Sequence, residues 1–278
     1  MTPPAGNVRD VPDTDSVVAS YDGVRLRASG HVREIVLDRP AAHNALSTAM
    51  ARSLAEACRA VAGDRSARAV VVSSAAPKAF CVGADLKERA GFTDDDLLRQ
   101  RPVFRAAFAG VLDLPQPSIA AVHGFALGGG TEIALSCDLI VADRTAVLGL
   151  PEVTVGLVPG GGGTQLLARR IGYSRAADLI FTGRKLSADE ATGLGLVDRL
   201  VEPGDAREQA TALAGAIARN SPIGVREGKK ALRLGLFGDL QAGLDLEDSA
   251  WHTVALSGDR REGIAAFNDK REPDWPGE

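Results

Sequence analysis

The stretch "GFALGGGTEIAL", residues 124–135, decides how the rest of the chain is read. Three consecutive glycines run into an apolar, helix-like segment, and one carboxylate, Glu132, sits at the junction. Glycine leaves the backbone uncovered, and the first N–H groups of a helix have no partner within it. "AFCVGADLKE", residues 79–88, repeats the arrangement, with a glycine just ahead of a helix start that follows a buried strand. Two such amides aimed at one point could hold negative charge developing on a carbonyl oxygen. Tight strand–helix packing is the simpler use of such glycines, and spacing alone leaves both uses open.

Outward from these loops, "VVASYDGVRLRA" and "HVREIVLDRP" are expected as strands, the first turning back at Asp22-Gly23. "STAMARSLAEACRAVAGD" predicts a helix capped by Ser47. "ARAVVVSSA", "SIAAVHG" and "CDLIVAD" predict further strands, and residues 130–136 a helix. "DDDLLRQRPVFRAAFAGVLDL" predicts a helix whose first-turn acids suit the dipole. Strand, crossover, strand and helix recur without sequence repetition, which argues for an α/β fold. From about residue 205 the strand signals stop and four helical patterns follow, so the chain divides into 17–204 and 205–278. Asp259 and Glu262 form a D-x-x-E pair that predicts a capping box on the last helix. Residues 1–16, rich in Pro and Asp, are expected to be a flexible leader with no secretory signal.

The 278 residues, 45% hydrophobic and 24% charged with net charge −4, give an ordinary globular composition with ample core. That charge offers nucleic acid no attraction. No apolar run approaches the roughly 18 residues of a membrane helix. Cys58, Cys81 and Cys137 lack metal-site spacing and are expected as buried, reduced thiols of a cytoplasmic protein. "PGGGGTQ", 159–165, lacks the Lys-Ser/Thr ending of a phosphate loop, and no G-x-G-x-x-G opens a helix. Glu132 and Glu152 stand among apolar residues, where a carboxyl tends to have a raised pKa and can move a proton near neutral pH. Either alone reads equally well as a helix-start acid or an ion-pair partner.

Taken in order, "LDRPAAHNAL" (37–46), "AFCVGADLKE" (79–88), "AAVHGFALGGGTEIALSCDLIVA" (120–142), "LGLPEVTVGLVPGGGGTQLLAR" (148–169) and "EGIAAFNDKREP" (262–273) resemble the signatures of the enoyl-CoA hydratase/isomerase, or crotonase, family. The resemblance implies a crotonase-like spiral of ββα units with a C-terminal all-helical region that builds homotrimers, usually paired as hexamers. It implies an oxyanion hole from the backbone N–H groups of Ala84 and Gly129, holding the thioester oxygen of an acyl-CoA. Glu132 and Glu152 match the two catalytic acids of the hydratases. For CoA it points to Val82 and the backbone of the first loop, to Lys78 and Lys87, and to Phe267 and Lys270 reaching from a neighbouring subunit. Asp85 would shape the loop, and residues 88–113 would wall the acyl pocket. No metal and no cofactor beyond the CoA of the substrate is implied. Both acids favour reversible hydration of an enoyl-CoA. The alternatives are an enoyl-CoA isomerase, which generally manages with the Glu152 position alone, another acyl-CoA lyase or dehydratase, or an idle acyl-CoA-binding or assembly protein.

Overall fold

The computed structural model describes residues 16–236 and 238–278, and the expected leader, apart from Ser16, lies outside the described residues. The chain opens with a hairpin, β1 (Ser16–Tyr21) and β2 (Val24–Ser29), which turns at Asp22-Gly23 as expected. β3 (Val32–Leu37) follows, then α1 (Thr48–Gly63), which starts where Ser47 Oγ accepts from the Met50 N–H.

Three successive turns of the chain then repeat one plan, a long strand, a short strand and helical structure. They are β4 (Ala69–Ser74), β5 (Ala79–Cys81), α2 (Leu86–Arg89) and α3 (Asp94–Leu112); β6 (Ser118–Val122), β7 (Phe125–Leu127) and α4 (Gly129–Ser136); and β8 (Leu139–Asp143), β9 (Val147–Gly149), a 3₁₀ turn (Pro151–Val155), α5 (Gly163–Ile171) and α6 (Tyr173–Thr182). β10 (Lys185–Ser187), α7 (Ala188–Gly193) and β11 (Arg199–Val201) close the last turn. The long strands line up in a seven-stranded sheet, β1-β2-β3-β4-β6-β8-β11, parallel from β3 onward. The short strands build a second sheet, β10-β9-β7-β5. Each turn thus advances one strand in both sheets, which is the ββα spiral.

Parallel strands covered on both faces should read as continuous apolar runs, and "AVVVS" and "SIAAV" do. The main core lies on one side of the large sheet and joins β2, β3 and β4 to α1, α3 and α4 through residues such as Ile35, Leu54, Phe104 and Ile133. The other side is covered by α8 (Ala206–Ala218), whose Ala210, Ala214 and Ala218 meet Val71, Ile119 and Val141. Alanine at four-residue spacing lets the helix lie close to the sheet. α9 (Pro222–Gly235), α10 (Leu240–Ala255) and α11 (Gly258–Asp269) follow, and strands do not recur after Val201 among the described residues. Lys229 ties α9 to the body, its Nζ donating to Asp138 Oδ2 at 2.6 Å and to the Gln116 carbonyl at 2.8 Å.

The expected capping box on α11 does not form. Ser257, with extended backbone, is the cap, and its Oγ accepts from the Arg260 N–H. Asp259 is instead buried and accepts from Ser221 Oγ, Ile223 N–H and Gly277 N–H, tying the start of α9 to the C-terminal tail. Glu262 pairs with Arg271. Three tertiary donors outcompete one local turn for the Asp259 carboxylate.

Candidate active site

The β5–α2 loop, the β7–α4 turn and the segment from the 3₁₀ turn to α5 converge on one cavity of 470 Å³, with α3 as its wall. The glycine triplet shows how closely they approach. Gly128 has φ of +52°, a conformation L side chains rarely adopt, and α4 starts there without a side-chain cap. A Cβ on Gly130 would stand 2.0 Å from the Cys81 carbonyl oxygen, so only glycine lets α4 press onto β5. A Cβ on Gly83 would likewise stand 3.2 Å from the Gly129 nitrogen, which brings the two loops into contact. Packing and exposed amides, the two uses left open by spacing, are both realised here.

Leu46 donates to the Gly83 carbonyl at 2.7 Å and accepts from the Asp85 N–H at 2.9 Å. Those two bonds bracket Ala84 and leave its own amide facing away from Leu46. The Gly129 amide opens α4, where no carbonyl precedes it in the helix. Among the described residues neither amide donates a hydrogen bond, and both residues line the cavity. Asp85 braces the loop as expected, capping α2 through the Lys87 and Glu88 amides and pairing with Arg39 Nη1 at 2.6 Å.

Glu132 is 3% exposed and reaches across to the second glycine run. Its Oε1 accepts from the Gly161 amide at 2.6 Å and the Gly163 amide at 2.9 Å. Burial raises this carboxyl above its ordinary range, while the two amides pull it back toward the ionised form. Glu152 lies on the 3₁₀ turn, and its Oε1 would stand 3.0 Å from a Cβ on Gly128. Its buried Oε2 has no hydrogen-bond partner among the described residues. Burial, reinforced by the charge of Glu132, pushes Glu152 up to about 7. One cavity thus holds two free main-chain amides, a carboxylate stabilised by two further amides, and a carboxyl that keeps its proton near neutrality. Such a set can hold charge on a carbonyl oxygen while one acid accepts a proton and the other delivers one.

Val82 lines the cavity, whereas Lys78 and Lys87 are exposed outside it and Phe267 and Lys270 stand on and just after α11, with Phe267 83% exposed. Val82, Ala84, Gly129, Glu132 and Glu152 all line the cavity, and the other four are not among its lining residues. Cys58, Cys81 and Cys137 are free and buried, with thiols pushed up to about 12 by burial, so none serves as a thiolate. His123 Nε2 donates to the Ala76 carbonyl and His43 ends a 3₁₀ turn, and neither lines the cavity. The sequence reading missed Gly161 and Gly163, which cradle Glu132, and Arg89 and Arg101 on the wall. The only signal for the glycines was a run opening a helix without a phosphate-loop ending.

The enoyl-CoA hydratase/isomerase family model matches residues 27–278. The human mitochondrial enoyl-CoA hydratase domain-containing protein 2 is 44% identical over 250 residues, covering 88% of this chain and 86% of the relative. Mouse mitochondrial methylglutaconyl-CoA hydratase is 38% identical over 274 residues, covering 95% and 86%. The crystal structure of an enoyl-CoA hydratase from Bacillus anthracis superposes with a TM-score of 0.89 at 43% identity, covering 92% of this chain and 100% of that one. The chain belongs to the enoyl-CoA hydratase/isomerase family.

Proposed function

We propose that the protein is an enoyl-CoA hydratase that adds water reversibly across the 2,3 double bond of an enoyl-CoA. The observation that carries this reading is the pair of unlike carboxyl groups, Glu132 and Glu152, opening on the same cavity as the free Ala84 and Gly129 amides.

The thioester oxygen accepts from the Ala84 and Gly129 amides, so charge arriving on it as C3 is attacked meets fixed donors at low reorganisation cost. Glu132, ionised, takes a proton from water as the water oxygen bonds to C3. Glu152, protonated, delivers its proton to C2 as the enolate collapses to the thioester. Product carries one added water, and the net proton shift from Glu152 to Glu132 reverses before the next turnover. An isomerase needs one acid to move one proton between carbons, and Glu132 with its two amide donors would then have no task.

Val82 and the first loop bind the CoA backbone side, Lys78 and Lys87 its phosphates. Phe267 and Lys270 reach a neighbouring copy's CoA in a trimer or dimer of trimers. Support for assembly is the apolar surface of the last helices, where Leu232, Leu236, Trp251, Leu256 and Phe267 are all largely exposed. The substrate's CoA is the only cofactor-like group this chemistry needs, and the protein works in the cytoplasm.

Loss of enoyl-thioester absorbance on mixing with 2-enoyl-CoAs tests the reading. Conversion of 3-enoyl to 2-enoyl thioesters without hydration would point to an isomerase, and tight acyl-CoA binding without turnover to an idle member.

A further inference from the structure

The loop that carries the Ala84 amide also carries a negative charge. Asp85 follows Ala84 directly, and its Oδ1 accepts from the Lys87 and Glu88 amides to start α2. Asp85 is 7% exposed; burial raises its carboxyl, but Arg39 and the two amides outweigh that and hold it below the usual carboxylate range. An ionised carboxylate one residue from an oxyanion donor works against that donor, because it disfavours further negative charge on the thioester oxygen.

Arg39 answers that charge. It stands two residues after the end of β3 and does not line the cavity. Its Nη1 donates to Asp85 Oδ2 at 2.6 Å and to the Ala45 carbonyl at 2.9 Å. Among the described residues Asp85 has no other ion pair. The shape of the loop has support without this pair. Leu46 bonds on both sides of Ala84 through main-chain atoms. Asn44, fully buried with φ of +55°, accepts from the Arg39 N–H, and its Nδ2 donates to the Phe80 carbonyl and Ser74 Oγ. What Arg39 adds to these neutral ties is a positive charge.

We propose that Arg39 is a positioning residue of the oxyanion hole: paired with Asp85, it cancels the negative charge beside the Ala84 amide and lets that amide hold the thioester oxygen at full strength. This deepens the enoyl-thioester reading of the cavity and rests on it.

The test reads the thioester carbonyl directly. Butanoyl-CoA labelled with carbon-13 at C1 has no double bond to hydrate, and its carbonyl stretch in isotope-edited infrared difference spectra falls as the oxygen is polarised. Binding to the wild type should lower the stretch. Arg39→Gln keeps a donor for the Ala45 carbonyl but drops the charge, while the Lys87 and Glu88 amides still favour ionised Asp85. That variant should shrink the shift, and its crotonyl-CoA hydration kcat should fall about 10- to 100-fold with KM within about threefold of wild type. Asp85→Asn can still cap α2 and leaves the Arg39 charge unopposed, so it should enlarge the shift. Arg39→Gln/Asp85→Asn should return it close to the wild-type value.

A purely structural ion pair behaves differently: losing either partner shrinks the shift, and losing both restores nothing. That result overturns the proposal, as does an Arg39→Gln shift equal to wild type. Should Arg39→Gln not fold, the direction of the change in Asp85→Asn decides alone. Because the spectra need no turnover, the two readings fail separately. An Arg39-dependent shift with no 2-enoyl-CoA hydrated keeps the role of Arg39 and removes the hydratase. Hydration with a shift indifferent to Arg39 keeps the hydratase and removes the role of Arg39.

Discussion

The start of α4 and the 3₁₀ turn after β9 each carry one glutamate to the same cavity, yet they treat it in opposite ways. Glu132 is almost fully buried but two amides of the 160–163 run bond to one of its oxygens. Glu152 is less buried but has an oxygen with no partner among the described residues. Burial penalises both charges; at Glu132 two amides of the second glycine run offset it, whereas at Glu152 its own main-chain amide does so and the charge of Glu132 adds to the penalty. Two residues of one type, 20 positions apart (152 − 132), are thereby both raised by burial but set against different donors by the loops around them. Asp259 is a useful third case, since its buried carboxylate is bonded at both oxygens and does not line the cavity that holds the two glutamates. A buried acid with both oxygens bonded holds structure together, and one with an idle oxygen at a cavity is available for chemistry.

The largest expected effect of breaking this contrast is on turnover. Glu132→Gln keeps the shape but cannot accept a proton, and the hydration kcat should fall about 10²–10⁴-fold. A loss below tenfold in stopped enoyl-CoA assays would show that the amide-held acid is not the base. Next, hydration should depend on Glu152 being protonated, so kcat should fall as pH rises through an apparent pKa near 7. The coupled pair titrates as a unit, and a pH–rate profile in Glu152→Gln should lose that limb along with most activity.

Asp259→Ala strands three donors and should destabilise the fold by about 2–4 kcal/mol in urea unfolding. The folded fraction should retain near-normal kcat, and a collapse of kcat would contradict the purely structural reading of this acid. The smallest effect concerns stability and pH at Glu152. Its folded pKa, about 7, exceeds the ordinary 4.5, so the neutral form is favoured by folding. Its contribution is complete below pH 4.5 and is lost as pH climbs through 7. Glu152→Gln should therefore gain about 1–3 kcal/mol relative to wild type at pH 8 and little at pH 4. Equal unfolding midpoints at both pH values would mean the Glu152 charge is solvated in the folded protein.

Much of the fold was legible in the chain. The Asp22-Gly23 turn, the Ser47 cap, the apolar runs of β4, β6 and β8 and the change to helices near residue 205 are local signals, decided by backbone preference and side-chain period. The Asp259-Glu262 pair shows where local logic fails, because Ser221, Ile223 and Gly277 claim the carboxylate from far along the chain. The same holds for "PGGGGTQ", whose glycines read only as an incomplete phosphate loop until Glu132, 29 residues before Gly161, is placed beneath them.

By itself the sequence determined the order of strands and helices and the two glycine-bearing helix starts, since each depends on residues within a turn or two of one another, while Glu132 and Glu152 stood out only through the family resemblance of the whole chain. The tertiary structure alone decided that those starts face one cavity, which acid receives amide donors from the second glycine run, and that Arg89 and Arg101 stand on the cavity wall. The ease with which each acid holds its proton follows from the field at a point in space. Segments remote in the chain create that field, and only packing brings them within reach.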